Sequence, residues 1–408
     1  MKICMITKYP PIEGGVSSRA YWTAKALGEL GHEVHVVTNA LEVENEYREL
    51  FDLNDPNYQP KNVYVHSTDP SPTIEANPSH IPFSKMYCEK LASLAIEVIE
   101  DYSIDVIDSR YLAPYGIAGF IAKSMTGIPQ IVSHAGSDLQ RLYPSPYLNA
   151  LLKKVLKKAD RIITSPETKA FFNSLDIPAT KISTLPQVYV DTNAFNPEIK
   201  PYDLKQHITN QNYFSGIPTI AYIGKITNHF EAKSLPELLK SCSKINENFL
   251  LLLVANGKRI KEFKALSKKE NLDKKMLLMP FLPPWKIPSV LKSCVCVVAL
   301  ENSNSPVLSY HVPTVPAEAM ATGKCVLMSE EMHKKEPYAK LEDGKEVIVA
   351  NAQDFSAVKK SMENIIRNPD IAGAIGANAQ KAFVRDNQGK YVDQNIQIYR
   401  SLISGALS

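Results

Sequence analysis

The chain has 408 residues, 44% of them hydrophobic and 22% charged, a composition of ordinary globular proteins at a length that exceeds one hydrophobic core, so roughly two domains are expected. A formal net charge of +3 is too small to argue for nucleic acid, and no window reaches the ~18–20 apolar residues that a membrane span needs. The apolar run in MKICMITKYPP is too short for a signal peptide, and Cys4, Cys88, Cys242, Cys294, Cys296 and Cys325 lack C-x-x-C spacing; a cytoplasmic protein with reduced thiols is expected.

In chain order, Lys2–Thr7 is a short apolar run followed by KYPPIEGGV, then helical periodicity over Ser17–Leu30 and a second strand in GHEVHVVTNA. Gly14 and Gly15 let the backbone approach a ligand at the helix mouth, an anion-friendly place, although a plain turn would explain them too. The loop is not G-x-G-x-x-G and has no acidic residue at the usual distance, which argues against NAD. The polar segment Glu42–Pro82 reads as a long excursion at the sheet edge or over the site. Helical patterns at Ser84–Asp101 and Pro114–Lys123 flank DVIDSR, and PQIVSHAGSDL returns to a strand. His134 therefore falls just past a strand end, where open α/β sheets bind ligands; it could hold or polarise a substrate hydroxyl, or be a surface loop histidine, while Asp138 suits a cap. NALLKKVLKKADRIITSPE joins an amphipathic helix to another strand, and Lys153, Lys154, Lys157 and Lys158 form either a solvated face or a contact for anionic lipid headgroups.

After LPQVYVDTNAFNP, the polar stretch Ile199–Ser215 suits a linker, and a second α/β series begins at PTIAYIGK. Lys225 follows that strand, and Lys233 lies eight residues later near the next helix. Two ammonium groups at one helix mouth would neutralise a diphosphate, though each alone is an ordinary surface lysine. Further apolar runs, FLLLLVANG, MLLMPF and CVCVVAL, alternate with helices, as buried parallel strands do. The stretch Tyr310–Glu331 reads as loop, helix, glycine stop and strand: Thr314 as N-cap, Pro316 in the first turn, Gly323 as terminator. Its free N–H groups make an anion site, and Glu318 in the same turn could accept hydrogen bonds from sugar hydroxyls or cap its own helix. Tyr391–Ser404 is a helix that fastens one domain to the other. The whole chain reads as two doubly wound α/β domains.

These elements resemble the retaining glycosyltransferases of family 4, with the two-domain GT-B fold. PPIEGGV with GHEV is similar to that family's glycine loop and second strand, and SHAGSDL to its histidine loop. LPQVYVDTNAFNP resembles its interdomain segment apart from Gln187 and Tyr189, and PAEAMATGKCV matches its E-A-M-A-x-G-x-P-V element except at Cys325. The resemblance implies two Rossmann-like domains facing across a cleft, an acceptor-binding one over residues 1–198 and a nucleotide-sugar-binding one over 199–386, with 387–408 packing back on the first.

It also implies roles. Gly14 and Gly15 would line the donor diphosphate, His134 would contact the transferred sugar near its O6, and Lys225 and Lys233 would bind the diphosphate. Glu318 and the Pro313, Thr314 and Val315 backbone would hold the donor ribose and phosphates, while Met279–Leu282, with Phe281, would flank the nucleobase. Tyr310 stands where the family has the first of two glutamates, which bears on donor identity and activity, and the lysine pair is spaced about two residues wider than usual. The expected reaction moves a sugar from a nucleotide diphosphate sugar to a glycan, lipid-linked or small-molecule acceptor, with no metal or other cofactor and no nucleic-acid partner. Tyr310 also keeps open a non-catalytic subunit that regulates a transferase, or a nucleotide-sugar epimerase. Peripheral contact with the inner face of a membrane would suit the lysine-bearing helix; the sequence does not specify an oligomeric state.

Overall fold

A computed structural model describes residues 1–70, 86–186, 188–207, 216–228, 231–272, 274–303, 312–387 and 390–406. The chain divides into two units, Met1–Gln187 with Gly389–Ser408, and Val188–Gln388.

In the first unit the apolar runs form parallel strands β1 (Lys2–Ile6), β2 (Glu33–Thr38), β3 (Val63–Ser67), β4 (Val106–Arg110), β5 (Gln130–Ser133), β6 (Arg161–Thr164) and β7 (Ile182–Thr184), in the order β3-β2-β1-β4-β5-β6-β7. Ile3 pairs with Val34 on one side and Val106 on the other, a register that buries β1 on both faces. The order reverses direction between β1 and β4, so the loops after these two strands open at the sheet's switch point. Helices cover the sheet through apolar stripes such as Leu91, Ala95, Val98 and Ile99 of Tyr87–Tyr102.

The terminal helix Lys390–Ala406 belongs to this unit. It is held by a buried polar network: Tyr399 Oη donates to Asp108 Oδ2 at 2.7 Å, and Arg110 meets the same oxygen through Nη2 at 2.8 Å and Nε at 3.0 Å, while its Nη1 donates to Thr23 at 3.0 Å. A shared, fully desolvated carboxylate adds directional specificity that apolar packing would lack.

The second unit repeats the architecture with β8 (Thr219–Ile223), β9 (Leu250–Val254), β10 (Met276–Met279), β11 (Cys296–Ala299), β12 (Cys325–Ser329) and β13 (Ile348–Ala350), ordered β10-β9-β8-β11-β12-β13, all parallel. Its switch point lies between β8 and β11. The sheet core, Ile220, Leu251, Leu253, Val298 and Leu327, packs under the helices Leu235–Ser243 and Phe355–Arg367. The six cysteines are free thiols, all buried except the half-buried Cys88.

Candidate functional site

At the carboxyl edge of the second sheet, β12 is preceded by the helix Val315–Ala321. It ends as the sequence predicts: Gly323 adopts φ +75°, its N–H reaches Met320 O at 2.9 Å, and the Lys324 N–H reaches Ala319 O at 2.9 Å, a closure that suits glycine. Its start differs from expectation. Thr314 sits at the N-cap position but makes no cap hydrogen bond. An N-cap oxygen needs the N–H of the second or third helical residue. Here the second is Pro316, which has none, and the N–H of the third, Ala317, goes to the buried Tyr338 hydroxyl. Tyr338 Oη also donates to Pro313 O at 2.7 Å, so one phenol fixes the entry to the helix.

Thr314 instead engages Glu318, whose carboxyl is 5% exposed. Burial pushes Glu318 up to about 7, against a smaller opposing effect of the Thr314 hydrogen bond. With the Glu318 N–H on Thr314 O at 2.9 Å, the backbone donors left at this helix start are those of Thr314 and Val315, fewer than the sequence suggests.

Across the switch point, Lys225 follows β8 after Gly224, and Lys233 ends the turn Glu231–Lys233 before the Leu235–Ser243 helix. The structure brings the two lysines together: Lys233 Nζ donates to the Lys225 main-chain oxygen at 3.0 Å and lies 3.5 Å from Tyr222 Oη. Phe281 follows β10 and is 2% exposed, so a nucleobase beside it would meet main chain rather than an open ring face. Tyr310 lies outside the described residues.

In the first unit, Gly14 precedes the helix Gly15–Glu29 with φ +133°, a conformation that requires glycine, while a side chain built at Gly15 would meet no protein atom within 4 Å. The described part of the Glu42–Pro82 excursion clamps this loop: Glu13 N–H donates to Tyr47 O at 2.9 Å and Glu49 N–H to Pro11 O at 2.8 Å, around an Ile12–Arg48 bridge. His134 follows β5. Its Nδ1 accepts from the Gly136 N–H at 3.2 Å, which leaves Nε2 protonated and donating to Thr164 Oγ1 at 2.8 Å. Desolvation, with a smaller effect of the Arg19 charge, pushes the imidazole down to about 3. It is neutral at physiological pH, and it reaches a sugar hydroxyl only by exchanging one of these partners. Asp138 does more than cap a turn: its carboxylate accepts from Leu112, Ala135 and Leu139 N–H at 2.9, 3.0 and 3.1 Å, tying the loop after β4 to the histidine loop.

The sequence reading passed over Lys8, whose ammonium lies 4.5 Å over the Tyr111 ring, and Tyr111 itself, held at φ +87°. A side chain in that region of φ is strained, and such strain concentrates at functional loops. Lys8 stands directly after β1, a signal that could have been taken from the same strand-end rule applied to His134.

Two family models match the chain, one described as Glycosyltransferase Family 4 over residues 13–189 and one as Glycosyl transferases group 1 over residues 206–382. An uncharacterized glycosyltransferase of Methanocaldococcus jannaschii is 24% identical over 98% of this chain and 99% of its own. Among solved structures, sucrose-phosphate synthase of Thermosynechococcus elongatus aligns with a TM-score of 0.69 at 17% identity, covering 99% of both chains. The Anabaena HepE protein in complex with UDP-glucose aligns with a TM-score of 0.68 at 14% identity, covering 98% of this chain and 99% of that one.

Proposed function

The chain belongs to the family 4, group 1 glycosyltransferases and has their GT-B fold, and on that premise we propose that it moves a sugar from a nucleotide diphosphate sugar to an acceptor with retention at the anomeric carbon. The observation that carries the reading is the pairing at one sheet edge of two lysines, joined by the Lys233 ammonium on the Lys225 carbonyl, with a buried carboxyl, Glu318, at the start of the helix that follows the neighbouring strand β11.

The lysines supply the positive charge for a departing diphosphate in place of a metal ion. Glu318 accepts hydrogen bonds from the donor ribose, the Thr314 and Val315 N–H groups meet phosphate oxygens, and the main chain around Phe281 flanks the base. The Gly14–Gly15 turn admits the diphosphate, and neutral His134 contacts the transferred sugar through a ring nitrogen released from its protein partner. Because burial pushes the His134 imidazole down to about 3, it is too weak a base to hold the acceptor proton, which passes instead to the leaving diphosphate oxygen. That front-side path retains configuration. The anomeric coupling constant of the product, read by proton NMR with a UDP-sugar as the first donor tested, is expected to match the donor's; an inverted anomer would overturn the retaining assignment, and loss of activity in EDTA would overturn metal independence.

A lipid-linked acceptor suits the helix Asn149–Lys158. Its Leu152, Val155 and Leu156 face the core while Lys153, Lys154, Lys157 and Lys158 are exposed, next to Leu151 at 40% and Tyr147 at 93% exposure. Among the described residues no helix is long and apolar enough to cross a membrane, so such a contact would be peripheral. Each lysine near an anionic surface contributes about 1 kcal/mol. Reversing all four to glutamate is therefore expected to cut co-sedimentation with phosphatidylserine-containing vesicles by at least ~100-fold while leaving the fold intact; unchanged sedimentation would remove the membrane assignment.

A further inference from the structure

We propose that Glu301 and Asn302, the second and third residues past β11, are positioning residues that hold the lysine turn and the Glu318 helix in fixed relation. The inference rests on the donor-site reading above.

Both residues are nearly enclosed, with Asn302 8% exposed, although the strand has ended at Ala299 and the sheet makes no use of them. Their position is the switch point itself, beside the ends of β8 and β12. Asn302 Nδ2 donates to Glu231 O at 2.8 Å and to Ser234 Oγ at 3.3 Å. Those partners bracket Lys233: Glu231 opens its turn and Ser234 closes it, in a left-handed conformation at φ +48°. A serine persists there when its surroundings over-determine the backbone. Arg259 grips the Glu231 carboxylate at 2.8 Å, so the turn is held from two sides, and the ammonium of Lys233 is directed to the Lys225 carbonyl.

Glu301 makes the opposite connection. Its carboxylate receives Lys335 Nζ at 2.6 Å in a pair whose side chains are both 8% exposed. Its N–H donates to Ser329 Oγ at 3.0 Å, at the end of β12. The Lys335 carbonyl then accepts the Tyr338 N–H at 2.7 Å, and Tyr338 fixes Pro313 and Ala317 at the start of the Glu318 helix. A buried ion pair is a weak source of stability next to an apolar pair of equal volume, whereas it defines one geometry. Two adjacent side chains thus run in opposite directions, one to the diphosphate cations and one to the ribose carboxylate. The spacing between them decides whether one donor can meet both.

The test is a double-mutant cycle of Asn302→Ala and Lys233→Ala, read as kcat/KM for the nucleotide sugar and as melting temperature. Lys233→Ala should lose about 100-fold and Asn302→Ala about tenfold, while the double variant should fall within about threefold of Lys233→Ala alone, because Asn302 acts through Lys233. Losses that multiply in the double variant, or wild-type kcat/KM in Asn302→Ala, would overturn the positioning role while leaving the donor site standing. Wild-type kcat/KM in Lys233→Ala would instead overturn the donor-site reading and this inference with it. If Asn302→Ala lowers the melting temperature sharply, Asn302→Asp, isosteric but without the amide donor, repeats the cycle with the same expected pattern.

Discussion

Glu318→Gln is expected to make the ligand-free protein more stable at pH 8 and to remove most of its transferase activity. Glu318 is enclosed at the start of its helix, and burial raises it from the ordinary carboxyl value to about 7. The folded protein thus holds a proton there between about pH 4.5 and 7 that the unfolded chain has released. Stability attributable to this group falls as pH rises through that window, and above 7 the full cost of a buried carboxylate is present, on the order of 3 kcal/mol. Glutamine keeps the shape and drops the charge. The gap in melting temperature between variant and wild type should be small at pH 5 and widen towards pH 8. Nucleotide sugar should reverse the order, because ribose hydroxyls donate to the carboxylate and hydrogen bonds to charged groups contribute about 1.5–3 kcal/mol. A loss of ~10–100-fold in kcat/KM follows from that magnitude. A gap that does not change with pH would contradict the burial argument, and a fully active variant would contradict the ribose contact.

The second large effect is expected at the lysine pair. Lys225→Ala and Lys233→Ala should each lower kcat by ~100–1000-fold, with smaller changes in KM, because charge on the diphosphate oxygens grows as the sugar leaves. The two are separable. Lys233 is anchored on the main-chain oxygen of Lys225, which alanine retains, so Lys225→Ala removes one ammonium without releasing the other. Donors with poorer leaving groups should suffer more in both variants. Release of nucleoside diphosphate at saturating donor measures this directly; wild-type kcat in either variant would exclude that lysine from the chemistry.

The central strands of both sheets were legible because buried parallel strands are short apolar runs, and FLLLLVANG or CVCVVAL can be little else between helical patterns; the edge strands β3, inside the segment read as a polar excursion, and β7 were not, because each is short and only partly buried. The stop at Gly323 was legible for the same local reason. The start of that helix was not, since Thr314 takes helical rather than extended backbone angles and the chain entering it is held by Tyr338, more than twenty residues further along. The high pKa of Glu318 is likewise a product of tertiary enclosure. His134 was correctly read as lying past a strand end, but its neutrality comes from burial, with a smaller effect of the Arg19 charge, and no local pattern reveals either. Asn302 carries no motif at all, and its meaning lies in Glu231 and Ser234, some seventy residues earlier. The expected role of Tyr310 falls outside the described residues and rests on the sequence alone.

The most direct measurement is nucleoside diphosphate release from a panel of UDP-, GDP-, ADP- and dTDP-sugars by the wild-type protein, Lys225→Ala and Glu318→Ala. The account predicts turnover of at least one donor by the wild type, with both variants folded and slowed by ~100-fold or more. Wild-type rates in both variants would contradict it.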